Sequence, residues 1–440
     1  MSAYLPLAVP LYGPDFAADP GSVYARLRAF GPVAPVEVSP GVCGHLVTDR
    51  DAALGVLNNT DVWSKDPRGW ESGLPEDSPV RPMMGWRPNA LFNDGAEHRR
   101  YRSVITDSFA RIESHDLRRQ VGEIADGLIQ DFASTGEVDL VGQYARPLPL
   151  MLFNAMFGMP PEDGPRLVSA LGGMFDSTPE TATKANADFG QYMTELIGLK
   201  AERRGDDLTS WFMDHPAGLG PEELIHQVVL TMAAGQEPTT NLISNSLSRM
   251  LSNPDYYSSL SNGAFTARDA VTDVLRHEPP MANYSAHFPR RNVQIGSTWI
   301  PADSLVLISY HAANTAPDSE QAGERTDGGA HLAWSAGPHA CPVKQPALLI
   351  TITAIERLTS HLGDLELAVP RSQLQWRPGP FHRALASLPA RFGPITPQKT
   401  GVTPWSSSPS SSTPPAETST ESPLSSANAG PQPGSYSPAT

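Results

Sequence analysis

A cysteine is a good metal ligand or nucleophile only as the thiolate, and a helix N-terminus favours that form. The 440-residue chain has two cysteines, and one of them, Cys341, stands in "HLAWSAGPHACPVKQPALLI" (331–350). His339 lies two residues before it, and an apolar helical pattern (346–362) follows. Pro342 suits a first helical position. Gly337 and Pro338 suit a tight loop whose amides donate to the sulfur. These residues alone leave two readings open, a ligand thiolate and a small buried hydrophobe. Zinc is a poor fit, because there is no CxxC, no HExxH and no second cysteine at ligand spacing. "AWSAG" (333–337) loosely matches G-x-S-x-G. A nucleophile elbow at Ser335 would need a strand before it and a helix directly after it, and Pro338 interrupts at once.

Other chemistry-bearing residues come in pairs. His98 and Arg102 stand at i and i+4 in "DGAEHRRYRSVITDSF" (94–109), so they share one helix face. Asp273 and Arg276 stand at i and i+3 in "DVLRHEPP" and share another. Glu237 sits in "AGQEPTTN" (234–241), followed by Pro238, Thr239 and Thr240. A proline inside a helical pattern removes an N–H and opens the turn before it.

The elements that must carry these residues are mostly helices. Apolar spacing predicts helices over 113–135 and 220–253, the second with an acidic first turn and a middle that reads as buried all round. Strand-like alternation occurs over 41–49, over 293–311 as a hairpin leading into a strand, and over 381–392 as a short hairpin. The reading is a mainly α fold with small β-sheets, in a single domain spanning 1–396. Residues 397–440 are Ser/Thr/Pro-rich with almost no large apolar side chains, and are expected to be a disordered tail.

Composition narrows the function classes. The net charge is −15, and no Lys/Arg-rich run stands out, which argues against nucleic acid as a partner. Two cysteines are too few for a disulfide framework and fit a reducing cytoplasm. The N-terminal stretch lacks a basic n-region and is cut by Pro6, Pro10 and Pro14, so no signal peptide is expected. The longest apolar stretch (148–159) is too short to span a bilayer, so no membrane anchor is expected.

Together these stretches resemble the cytochrome P450 superfamily over roughly residues 15 to 395. The heme-binding segment is matched at Gly337, His339 and Cys341, with Trp334, Ser335 and Val343 departing from the usual types. "DGAEHRRYRSVITDSF" resembles the family's C-helix, "AGQEPTTN" the oxygen-binding part of its central helix, and "DVLRHEPP" its ExxR helix with an aspartate for the glutamate. "HFPRRNVQIGSTWIP" (287–301) resembles the hairpin after that helix, and "HRALASLPARF" the C-terminal hairpin at the substrate pocket. The departures at Trp334, Asp273 and Pro238 resemble a bacterial subgroup encoded in conservons, beside a small GTPase.

The resemblance implies a heme b (iron protoporphyrin IX) held between the central helix and the cysteine loop. Cys341 would be the iron ligand, pushing electron density toward O–O cleavage. His98, Arg102, His287 and His339 would bind the heme propionates, and Arg325 would join the Asp273–Arg276 pair. Glu237 and Thr239 would be catalytic in proton delivery, Pro238 standing where the family's threonine falls. The implied activity is that of a monooxygenase that hydroxylates or oxidatively couples a small molecule or peptide. Electrons would come from a separate ferredoxin and ferredoxin reductase, with Arg99, Arg100 and Lys344 as a basic docking patch. The alternative is a catalytically weak heme protein with a sensing or partner-binding role in a GTPase-linked signalling cluster.

Overall fold

The computed structural model describes residues 8–76, 78–175, 179–252, 266–315 and 331–393, without the side chains of 172–183. Arg325 and the expected tail over 397–440 lie outside the described residues. The described helices are α1 (Pro14–Ala18), α2 (Pro20–Arg28), α3 (Arg50–Asn58), α4 (Arg68–Glu71), α5 (Arg81–Met84), α6 (Gly95–Phe109), α7 (Ser114–Phe132), α8 (Pro147–Met156), α9 (Gly164–Phe175), α10 (Pro179–Glu202), α11 (Leu208–Met213), α12 (Pro221–Leu251), α13 (Ala267–His277), α14 (Tyr310–Asn314) and α15 (Lys344–His361). The strands are β1 (Val9–Pro10), β2 (Val33–Ser39), β3 (Val42–Val47), β4 (Trp63–Ser64), β5 (Glu137–Asp139), β6 (Phe288–Pro289), β7 (Val293–Ile295), β8 (Thr298–Ile300), β9 (Val306–Ile308), β10 (Glu366–Leu367) and β11 (Pro389–Arg391).

The helix expected over 220–253 is α12. Pro221 starts it, and the Glu223 carboxylate accepts from the Gly220 N–H at 2.8 Å, which satisfies an orphan donor at the N-terminus. Every residue from Thr239 to Ser248 is buried. That stretch is not apolar all round, as its sequence suggested; it is rich in Thr, Asn and Ser, some of which find partners inside, while Ser246 Oγ and Ser248 Oγ are buried without one among the described residues. Asn245 Nδ2 donates to the Arg383 carbonyl at 2.8 Å, and Gln236 Nε2 to Thr240 Oγ1 at 3.2 Å. Polar side chains thus cross the core without an unsatisfied-group penalty at those atoms. α7 and α15 pack against each other and, with α8 and α12, form the large apolar core around Val121, Tyr144, Leu148, Leu247 and Ile355.

A four-stranded sheet, ordered β1-β2-β3-β9, forms a second layer. Strand β2 is legible only in retrospect, because Pro35 argues against a central strand. The structure tolerates it for a geometric reason. Pro35 lies opposite His45, whose N–H turns away to the Leu305 carbonyl at 2.8 Å. The pair is therefore a non-hydrogen-bonded one, and Pro35 loses no bond to β3. The expected strands over 41–49 and 293–311 are β3 and β7 to β9. The expected hairpin over 381–392 does not form as such. Only Pro389–Arg391 is a strand, and it sits between β10 and β5.

Two pairings matter for the site. β4 pairs antiparallel with β6 in the register Ser64↔Phe288. One step further along, Lys65 comes opposite His287, which is itself tied to Val306 by two backbone bonds of 2.8 and 3.0 Å. Among the described residues no helix is long and apolar enough to cross a membrane.

Candidate active site

The loop before α15 holds Cys341 by backbone geometry. Its N–H donates to the Trp334 carbonyl at 2.9 Å, and Ser335 N–H donates to Leu332 at 2.7 Å. Gly337 has φ +68°, and a Cβ there would collide with the Leu57 carbonyl, so only glycine fits. Ser335 has φ +62°, a left-handed conformation that costs a serine about 1 kcal/mol. α15 starts at Lys344 rather than at Pro342, which lies ahead of the N-cap Val343. Burial pushes the Cys341 thiol up; the Val343 amide, which donates to the sulfur, and the charges of Arg102 and Lys344 oppose this. Burial therefore outweighs the Val343 amide and the two cations, and the expected amide donor is present. Cys43 lies on β3, half-buried.

Basic side chains gather beside this loop from four segments. His98 on α6 is buried and packs its ring on His339, with centroids 3.9 Å apart. Burial, then the charges of His339 and Arg102, hold His98 down to about 4. Its Nε2 is buried with no partner among the described residues. Arg102, one turn on, donates from Nη2 to the Ala340 carbonyl, and its guanidinium has further N–H donors beyond that one bond. His287 is buried, and its Nδ1 lies 3.0 Å from the Ser285 carbonyl. His339 Nε2 lies 3.6 Å from Asp94. Asp94 also accepts from Ser64 Oγ at 2.6 Å, the Lys65 N–H at 3.0 Å and Arg290 at 2.9 Å. Burial alone would raise the Asp94 carboxyl, but the bonds from His339, Ser64 and Lys65 hold it well below the carboxylate range.

The central helix carries a separate cluster. Glu237 pairs with Arg377 from the C-terminal segment and accepts from Asn241 Nδ2 at 3.1 Å. His382 lies beside this pair; burial, then Arg377, holds it near 4, and its Nε2 is buried with no partner among the described residues. Thr239 is buried, and its hydroxyl donates back to the Gly235 carbonyl at 2.6 Å. α12 stays helical through Pro238, rather than opening there. Proline cannot donate to the Ala234 carbonyl four residues earlier, which frees that acceptor. Ala233 and Ala234 are exposed, so the helix borders an opening at this turn.

Several expected pairings are redrawn. Asp273 binds Arg249 and His277 (2.9 Å), not the Arg276 that its spacing suggested. Arg249 reaches it from α12, a neighbour that spacing within α13 cannot reveal. Arg100 is no free docking charge: Glu97 at 2.8 Å and Glu223 at 2.5 Å hold it, while Arg99 and Lys344 are exposed. Sequence reasoning passed over Lys65, Asp94, Arg290, Arg377 and His382. Isolated charges in loops read as solvated, and only the β4–β6 register and the return of the C-terminal segment to α12 bring them inside.

One amide-supported thiol, buried imidazoles and guanidiniums in excess of one carboxylate, and the unpartnered Nε2 of His98 suit a flat iron macrocycle with anionic arms. No protein-family profile matches the chain. It is 33% identical over 391 residues to the cytochrome P450 monooxygenase PikC of Streptomyces venezuelae, covering 86% of this chain and 92% of that protein. It is 30% identical to cytochrome P450 107B1 of Saccharopolyspora erythraea, covering 86% and 96%. The solved CYP154C4 from Streptomyces sp. W2061 superposes with a TM-score of 0.78 at 28% identity, covering 88% of this chain and 99% of that one.

Proposed function

The chain belongs to the cytochrome P450 superfamily of heme-dependent monooxygenases, and from that premise we propose that it hydroxylates or oxidatively couples a small molecule or peptide. Bound heme b supplies dioxygen activation, with Cys341 as its iron ligand. The observation that carries this is the loop itself: a left-handed Gly337, an amide from Val343 on the sulfur, and Arg102 close by. His98, Arg102, His287 and His339 hold the propionates. The last three are anchored by carbonyl or carboxylate partners, and His98 keeps a buried Nε2 to give.

Glu237 is the residue assigned to proton delivery. Its side chain is held by Arg377 and by Asn241 Nδ2, so it reaches another partner only when those contacts loosen. Thr239 stands beside it as the remaining hydroxyl, although its proton is committed to Gly235. Electrons come from a separate ferredoxin and its reductase in the cytoplasm. The domain takes in residues 1–396, and the tail from 397 is dispensable for heme binding.

A second reading keeps one specific support. Pro238 and the tied-back Thr239 leave the expected hydroxyl position empty-handed, which suits a heme protein of weak catalytic power with a sensing role. Turnover separates the two readings. With ferredoxin and reductase, the monooxygenase yields product in proportion to electrons consumed, and Glu237→Gln lowers that yield. Electron consumption that produces only reduced oxygen, unchanged in Glu237→Gln, leaves the second reading standing.

A further inference from the structure

Lys65 is a buried ammonium that neither the activity nor the family resemblance uses. It is 4% exposed. Its Nζ donates to the Ala286 carbonyl at 2.6 Å and to Ser285 Oγ at 3.2 Å, both neutral. Asp94 is the carboxylate that acts on it. That carboxylate already serves Ser64, Arg290, His339 and the backbone N–H of Lys65. A buried cation without a dedicated counter-ion is costly. Consistently, burial pushes the Lys65 ammonium down to about 7.

The charge around Lys65 is of one kind. Lys65 acts electrostatically on His98, His287 and His339, the three imidazoles that Proposed function assigns to the propionates. Arg102 acts on His98 and His339 as well, and Arg290 closes on Asp94. Asp94 therefore serves both Lys65 and Arg290, and Arg102 adds a further cation beside His98 and His339 with no carboxylate paired to it among the described residues. The deficit is of negative charge, and an ammonium has three donors, of which two are in use here.

We propose that Lys65 is a further heme-anchoring residue, its ammonium pairing with a propionate while Ser285, Ala286 and Asp94 hold the side chain in place. This rests on the heme reading and adds a residue to it. The register of β4 on β6 is what delivers the ammonium, since it sets Lys65 opposite His287. Heme uptake would thus depend on a strand pairing remote in sequence from Cys341.

The test compares hemin with its dimethyl ester, which has the same iron and ring but uncharged arms. Heme-free full-length protein is titrated with each, and Lys65→Gln and Lys65→Met are compared with wild type. Lys65→Gln keeps a donor for Ala286 and Ser285 but not the charge. Losing one charged hydrogen bond should weaken hemin binding by about tenfold or more. Binding of the dimethyl ester should change by less than about twofold, and the thermal midpoint of heme-free Lys65→Gln should stay near wild type. If hemin and ester weaken equally, or if hemin binding is unchanged, Lys65 is a strut for the Ala286 turn and the proposal fails. A wild type that binds hemin no better than a non-heme protein would sink the heme reading itself, and this proposal with it.

Discussion

The Cys341 side and the central-helix side of the site use polar residues in opposite ways. Around Cys341, cations and imidazoles outnumber carboxylates, and His98 Nε2 is buried without a partner among the described residues. Around Glu237, charge is already matched: the carboxylate faces Arg377, Asn241 donates to it, and the Thr239 hydroxyl is spent on its own helix. One side carries cations in excess and suits an anionic group; on the other the charges are matched, although His382 Nε2 there is also buried without a partner among the described residues. Holding a cofactor and moving protons are separable demands, and the two sides of this site answer them with different residues.

The strongest way to break that contrast is at Glu237. If it carries protons despite its ion pair, Glu237→Gln should lower product formation about a hundredfold, within the range of a lost general acid–base group. Thr239→Val should change it by less than about threefold, because the hydroxyl already serves the Gly235 carbonyl. Equal losses in the two variants, measured as product per electron, would erase the distinction between them.

On the Cys341 side the largest structural effect falls at Gly337. Gly337→Ala must relieve both a positive φ and the contact with Leu57, and should cost about 3 kcal/mol of unfolding free energy. A variant with wild-type denaturant midpoint and heme content would show that the loop is not rigid there.

Acid should act on both sides together. Burial holds His98 near the Cys341 loop, His382 near Glu237, and also His311 and His331, each near 4 when folded. The unfolded residues titrate near 6.5. Between about 6.5 and about 4 the unfolded chain binds more protons, so stability rises with pH through that window. The thermal midpoint of the heme-free protein should therefore fall as pH drops from about 7 to about 4. A flat midpoint would mean that these imidazoles already carry partners for their charged forms.

The smallest effect sharpens the loop alone. Ser335→Gly relieves a left-handed serine and should raise stability by about 1 kcal/mol, read from the denaturant midpoint. A loss would mean that the serine side chain contributes more than its backbone strain costs.

The same division explains what could be read before folding. Long helices were legible because their apolar period is local, as α7, α12 and α15 attest. The grouping of His98 with His339 and Cys341 was legible only through the family resemblance, since spacing within each motif does not join segments so far apart in the chain; the structure stacks the two rings. Lys65, Asp94 and Arg377 were not, because strand register and chain return place them, and neither leaves a periodic trace. Asp273 was misread for the same reason: its spacing pointed along its own helix to Arg276, while packing supplied Arg249 and His277. β2 was hidden by Pro35, whose missing donor is harmless only in a non-hydrogen-bonded pair.

The central claim is that Cys341 ligates heme iron as a thiolate. The optical spectrum of the reduced, CO-bound protein tests it directly. Wild type and Cys43→Ala should both give the red-shifted Soret band of thiolate-ligated heme, and Cys341→Ala should lose it while Lys344 and the α15 helix remain unchanged. A Cys341→Ala protein with the wild-type spectrum would contradict the account.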